Sequence, residues 1–277
     1  MAGAFTRWIA AALAALALAP AALAQTADES SDNQLLQRAF AAIGQGGYPA
    51  LDPLLPALRE ALGRTPASYP VVQDLGDRIL VRADLSDGLV EAAAAGAAER
   101  QAHPDRHVNI VVVPDVYPEI ALLLTSEAVE RRRYEEAVGF ADRGLRMQPH
   151  HVLLVGERAA ALQGLKRHDE ALASIEAELA LPDPVVALHR GLLLRKRGFS
   201  LVELGQLDAA QAAYEDSLKA EPGNATALRE LQYIQGLRAG APRGTGVFTA
   251  PASRPPATHP SPRPPPGPAS PPVKISA

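Results

Sequence analysis

The feature that most constrains this chain is an internal repeat. Tyr134-Glu135-Glu136-Ala137 superposes on His168-Asp169-Glu170-Ala171 at an offset of 34 residues, which also carries Leu145 onto Leu179. A further step of 39 residues carries Ala171 onto Ala210 and Leu179 onto Leu218, so three copies of one unit are visible. A period of this size marks a unit that cannot bury its apolar face alone and must stack on its neighbours. Pro149 and Pro222 stand four residues after Leu145 and Leu218, and Pro182 and Pro184 bracket the equivalent place in the second copy. Proline there stops the second helix of each unit and turns the chain into the next.

Inside each unit the apolar spacing is helical. In the third copy Leu194, Gly198 and Leu201 share one stripe, Leu204-Gly205-Gln206 makes a turn, and Leu207, Ala210, Tyr214 and Leu218 form a second stripe. The pattern predicts a helix, a turn and an antiparallel helix, and hence an all-α chain of stacked pairs. Small residues recur where two helices must approach closely: Thr125, Ala159 and Gly198 on the first helices, Ala137, Ala171 and Ala210 on the second. A larger side chain there would push the axes beyond the usual separation of about 8–10 Å. The five extra residues between Leu179 and Gly198 are expected to lengthen the helix that starts near Pro184 by over one turn.

The 34-residue step, the Gly205-x-Leu207-x-x-Ala210-x-x-x-Tyr214 run and the Ser217-Leu218-x-x-x-Pro222 ending resemble tetratricopeptide repeats. The match is strongest over residues 191–224 and good over 118–151 and 152–185. The usual large aromatic early in the first helix is replaced by Ala121, Val155 and Leu194. The resemblance implies a right-handed superhelical α-solenoid of helix-turn-helix repeats whose first helices line a concave groove. Residues one stripe over from the packing positions then form its floor: Leu122, Ser126 and Val129; Gly156, Ala160 and Gln163; Arg195, Phe199 and Val202. Such a floor, apolar with a few polar points, suits an extended peptide or an amphipathic helix of a protein partner. Contact with neighbouring helices is the competing role for the same residues. Repeats that grip the C-terminal carboxylates of chaperone tails carry Lys and Asn on this face, and Leu122, Ser126, Gly156, Ala160 and Phe199 supply neither.

Upstream the repeat fades. Gly46-Gly47-Tyr48 followed by Ala61-Leu62-Gly63-Arg64-Thr65-Pro66 predicts a divergent repeat over residues 31–66. Residues 69–82 and 86–102 read as another helix pair, the second capped by Ser86 or Asp87. Val108-Asn109-Ile110-Val111-Val112-Val113 is rich in β-branched residues and prefers an extended backbone, yet no partner strand is evident. Asn224 can cap a last helix reaching about Arg238. The expected division is a signal peptide at 1–24, divergent helical repeats at 31–105, an extended connector at 106–117, three repeats at 118–224, a capping helix at 225–240 and a Pro-rich tail at 241–277.

Residues 1–7 supply a short basic start and residues 8–24 an Ala-rich apolar run ending in Ala22-Leu23-Ala24, the layout of a secretory signal peptide cut before Gln25. The run is 17 residues, broken by Pro20, where a membrane span needs about 20 strongly apolar positions. The chain has no Cys, which removes disulfides, thiol nucleophiles and Cys-ligated zinc. A periplasmic or secreted protein is expected, meeting the membrane only in transit. Residues 241–277 hold 12 of the 25 prolines and four cations without an acid, and are expected to stay extended and disordered. Between Gln25 and Gly240, 22 basic side chains face 31 acidic ones, a balance of −9 that argues against nucleic-acid binding. Tethering to cell wall or membrane through the cationic tail is a second functional reading.

The catalytic inventory is thin. His150-His151 and the pair His103 and His107 fall in loops, and no His-Glu-x-x-His, Gly-x-Ser-x-Gly or phosphate-loop motif occurs. Glu135-Glu136 and Asp169-Glu170 open second helices, where acids favour the helix dipole. No catalytic residue, metal or cofactor is expected, and a hydrolase with an unfamiliar site is the remotest reading. Arg190, Arg195, Lys196 and Arg197 form a basic cluster that could receive an acidic partner, whereas Arg131-Arg132-Arg133 ends a helix as ordinary dipole partners.

Overall fold

The computed structural model describes residues 27–83 and 88–242, over which eleven α-helices and three short strands follow one another. The signal peptide, nearly all of the Pro-rich tail and the Ser86 or Asp87 cap lie outside the described residues. Helices α1 (Ala27–Gly46) and α2 (Leu55–Gly63), joined through a 3-10 turn at Tyr48–Leu51, make a first hairpin. Strands β1 (Val72–Asp74) and β2 (Arg78–Ala83), helix α3 (Gly88–Ala102) and strand β3 (Asn109–Pro114) come next. The chain then returns to hairpins: α4 (Val116–Glu130) with α5 (Tyr134–Met147), and α6 (Val152–Gly164) with α7 (His168–Leu179). A short α8 (Pro184–Leu188) leads into α9 (Arg190–Glu203), which pairs with α10 (Leu207–Ala220), and α11 (Ala225–Arg238) closes the series.

The turns of the three hairpins α4–α5, α6–α7 and α9–α10 close in the same way. The N–H of Arg133 bonds the carbonyl of Ala128 at 2.8 Å and that of Arg132 bonds Val129 at 2.9 Å. Arg167 to Leu162 with Lys166 to Gln163, and Gln206 to Leu201 with Gly205 to Val202, repeat the pair. This double closure satisfies the last carbonyls of the first helix and needs one left-handed residue. That residue is Arg132 at φ 58°, Lys166 at 60° and Gly205 at 78°. Three helix starts are fixed by side chains. The ring of His151 accepts from Leu154 N–H, Asp183 from Val185 N–H at 2.7 Å, and Asn224 from Thr226 and Ala227 N–H, both at 3.1 Å.

The small positions are where helices cross. Thr125, Ala159, Ala137, Ala171 and Ala210 are fully buried, and a methyl group placed on Gly198 would come within 2.7 Å of the Tyr214 ring. Apolar clusters run along the stack, each shared between neighbouring hairpins. Leu36, Leu58 and Leu62 of the first meet Ile120, Leu124 and Leu154. Val152, Leu162 and Ile175 meet Val186 and Leu193, and Leu201 and Tyr214 meet Ala227 and Ile234. The all-α solenoid is therefore present from α4 onward, with the first hairpin packed against α4.

Two local expectations are corrected. Residues 69–82 were read as a helix with no strand to partner 108–113; instead β2 pairs with β3 in parallel, Ile79 opposite Ile110 and Val81 opposite Val112, and with β1 antiparallel. The divergent helical region 31–105 and the connector 106–117 are therefore interrupted by a three-stranded sheet. Helix α3 covers one face, where Ile79, Val81 and Ala95 pack with Val72 and Ile110, while Leu80 and Arg82 point to the other side. Pairing on both sides of β2 and cover from α3 settle the short apolar run Ile-Leu-Val, whose β-branched residues suit a strand. The second correction concerns the lengthened helix near Pro184. The extra residues form α8 and a step at His189, whose backbone sits at φ −97°, ψ 9° before α9 begins.

Candidate partner-binding surface

The first helices α4, α6 and α9 carry the residues expected to floor a groove, and most of them are already used. Ser126 is 8%, Val129 6%, Gln163 4% and Val202 3% exposed, and Gly156 and Ala160 are buried as well. Gln163 ties α6 to α9, its Nε2 donating to Lys196 O at 2.7 Å and to Ser200 Oγ at 2.9 Å. Leu122 is half-buried against the core formed with α1 and α2. An open floor built from all seven principal positions is thus corrected: successive first helices touch one another directly, so a stripe beside the packing stripe is consumed by that contact. Phe199 and Arg195 remain partly accessible, the Phe199 ring lying 6.1 Å from that of His168.

The accessible surface begins one turn earlier. Leu153 and Leu192 are half-buried, and Leu192 lies with Lys196 across Gly156, whose missing side chain leaves room for them. The cations of this face are neutralised within the fold. Arg195 pairs with Glu221 at 2.9 Å, Lys196 with Glu157 at 3.7 Å, and Arg197 with Glu176 at 2.9 Å. The Lys196 and Arg197 pairs tie neighbouring hairpins together, and the Arg195 pair ties α9 to the end of α10. Leu153 and Leu192 escaped the sequence reading because the stripe was counted from Gly156 and Arg195, three residues too late on each helix.

A second polar assembly sits where the sheet meets the solenoid. The Tyr69 hydroxyl donates to Glu29 Oε1 at 3.0 Å and accepts from Val116 N–H at 3.0 Å. Arg82, only 1% exposed, stacks 4.5 Å from the Tyr69 ring centre and donates to Pro70 O at 2.9 Å. Asp115 lies beside them at the start of α4. Burial pushes its carboxyl up to about 8, opposed by His151 and reinforced by Glu119 and Glu91. On the sheet's far side Arg106 donates to both Asp74 oxygens at 2.7 Å and to Glu99 at 2.9 Å, holding the Asp74 carboxyl below the usual range. These groups act as rivets between elements.

The remaining sequence candidates resolve into supports. His151 caps α6 and faces Glu119 at 3.3 Å, His150 faces Glu178 and His103 faces Glu99 at the same distance. Glu136 pairs with Arg59 and Arg133, both at 2.7 Å, and Glu170 with Arg167 at 2.6 Å. Arg131 and Arg133 close on the fully buried Glu127, so this run anchors the turn between α4 and α5. Among the described residues no group of three or more His, Asp or Glu side chains is arranged to hold a metal, and no helix is long and apolar enough to cross a membrane.

Stacked antiparallel helix pairs at a 34-residue step, sealed by identical turns, define a helical-repeat protein of the interaction-scaffold kind. More particularly, the chain is similar to tetratricopeptide-repeat proteins. No family model matches the sequence. It is 31% identical over 125 residues to the Hsp70-Hsp90 organizing protein of Triticum aestivum, a match covering 45% of this chain and 19% of that one. The chain thus spans about one fifth of the curated relatives it matches. Among solved structures, the first tetratricopeptide domain of human RPAP3 is 27% identical, covering 45% of this chain and 96% of that domain with a TM-score of 0.39. MamA from Desulfovibrio magneticus RS-1 is 16% identical, covering 79% and 89% with a TM-score of 0.45.

Proposed function

We propose that this protein is an exported adaptor, not a catalyst, which holds an extended apolar segment of a cell-envelope protein against α6 and α9. The observation that carries the reading is the accessible strip of Leu153, Leu192 and Phe199 beside cations already paired with Glu221 and Glu157. A strip of this chemistry gains by covering apolar side chains and offers little to an acidic tail, whose charge would have to break existing pairs. The name of the wheat relative couples it to two chaperones, and Leu122, Ser126, Gly156, Ala160 and Phe199 here supply none of the Lys and Asn with which repeats of that kind grip chaperone carboxylates. Export through residues 1–24 and a periplasmic place of work belong to the same proposal.

A photo-crosslinking residue at Leu192 or Phe199, expressed in the native envelope, should trap one discrete partner, and the same residue at Leu228 on α11 should not. Phe199→Glu and Leu192→Glu should abolish the adduct formed at Leu153 while the far-ultraviolet circular dichroism stays helical. Equal trapping from Leu192 and Leu228 would overturn the proposal.

A further inference from the structure

Among the described residues the sheet ends on an open edge. There β3 is paired on one side only, with β2, and its run Asn109-Ile110-Val111-Val112-Val113 carries no charge before Pro114 ends the strand. Folded proteins usually blunt such an edge with Lys, Pro or a covering element, because its free N–H and C=O groups template pairing with another strand. Here the side chains add to the exposure. Val111 is 37% and Val112 44% accessible, one on each face of the strand, and Leu89 at the start of α3 is 85% accessible. Three of the five large apolar side chains most open to water among the described residues thus belong to one small module.

Helix α3 extends this patch. Its backbone approaches β3 at Gly88, near Val112, and at Gly96, near Ile110. The flank next to those glycines carries Leu89, Ala93 and Ala97 at helical spacing, all exposed. Edge strand and helix flank therefore ask to be covered together. A bound peptide would complete the strand and leave the helix bare.

We infer that the occupant is a second copy of this chain, joined through antiparallel pairing of the two β3 strands about a two-fold axis. Two-fold pairing of identical strands is necessarily antiparallel and self-complementary, and an uncharged strand meets its copy without repulsion. The result is one six-stranded sheet in which both α3 helices lie on the same face, each bringing its Leu89–Ala97 flank toward the other. The strip on α6 and α9 takes no part, so this pairing stands or falls independently of the adaptor reading.

Light scattering on the full mature chain should give a dimer mass that falls to the monomer on dilution. Val112→Lys should weaken association at least about tenfold without loss of helical signal. Because the chain has no cysteine, single substitutions report contact directly. Val111→Cys should form a disulfide-linked dimer under mild oxidation, and Leu228→Cys should not. The Cys variant also decides the matter if Val112→Lys fails to fold. A monomer at every concentration, linkage equally from Leu228, or a one-to-one complex of a monomeric chain with a synthetic peptide of residues 107–114 would each overturn the inference.

Discussion

The turn residues show how narrowly a repeat can be specified. Arg132, Lys166 and Gly205 hold one position in three copies, yet only the last is the residue that tolerates positive φ without strain. A left-handed L-residue costs about 1–2 kcal/mol, part of which glycine returns through the freedom of its unfolded chain. Lys166→Gly should therefore stabilise the protein by about 0.5–1 kcal/mol in urea titrations, its side chain making no ion pair that would be lost. Asp115 gives a prediction of opposite character. Its carboxyl rises from the ordinary 3.8 to about 8 on folding, so the folded state holds a proton that the unfolded state releases. The associated stability is complete below pH 3.8 and is lost as pH climbs through 8. Asp115→Asn should flatten that decline, so that the variant melts above the wild type at pH 9 and their difference shrinks toward pH 5. His151, Glu119, Glu91 and Tyr69 sit nearby and are retained in the variant.

At the level of elements, the helical hairpins were legible because their two signals agree: a 3.6-residue apolar spacing and small residues at the crossings. Gly198 illustrates the second signal, lying against Tyr214 with no room for a Cβ. Gly198→Val should destabilise by about 2 kcal/mol through overpacking, read as a lower urea midpoint with the same slope. The strands were half legible. Val108 to Val113 carried a clear β-branched signature, whereas Arg78 to Ala83 is a short apolar run whose length suits either a strand or a buried turn of helix. The turn at Leu75-Gly76-Asp77 that joins it to β1 is a local sign of a strand, but its parallel partner β3 lies across α3 with no hairpin turn to announce it. The groove was legible in kind but displaced in place. Counting a stripe from the repeat motif identifies the correct helices, and knowing which flank neighbouring helices consume requires their actual contact, as Gln163 and Val202 demonstrate.

Across the whole molecule, stability is shared among successive apolar clusters, each spanning a joint between hairpins. Opening should accordingly be graded. Amide exchange is expected to be slowest in α4 and α6, which are covered on both sides, and faster in α11, which among the described residues has a neighbour on one side only. Uniform protection from α4 to α11 would contradict this. The sheet changes the picture at the other end. Leu36, Leu58 and Leu62 find their partners Ile120 and Leu124 only after β1, β2, α3 and β3 have been made. The first hairpin must therefore wait for more than fifty residues of chain before it meets α4, while every later pair can dock as soon as it leaves the ribosome. Assembly of this chain should consequently begin in its middle, with the oldest part of the polypeptide the last to find its place.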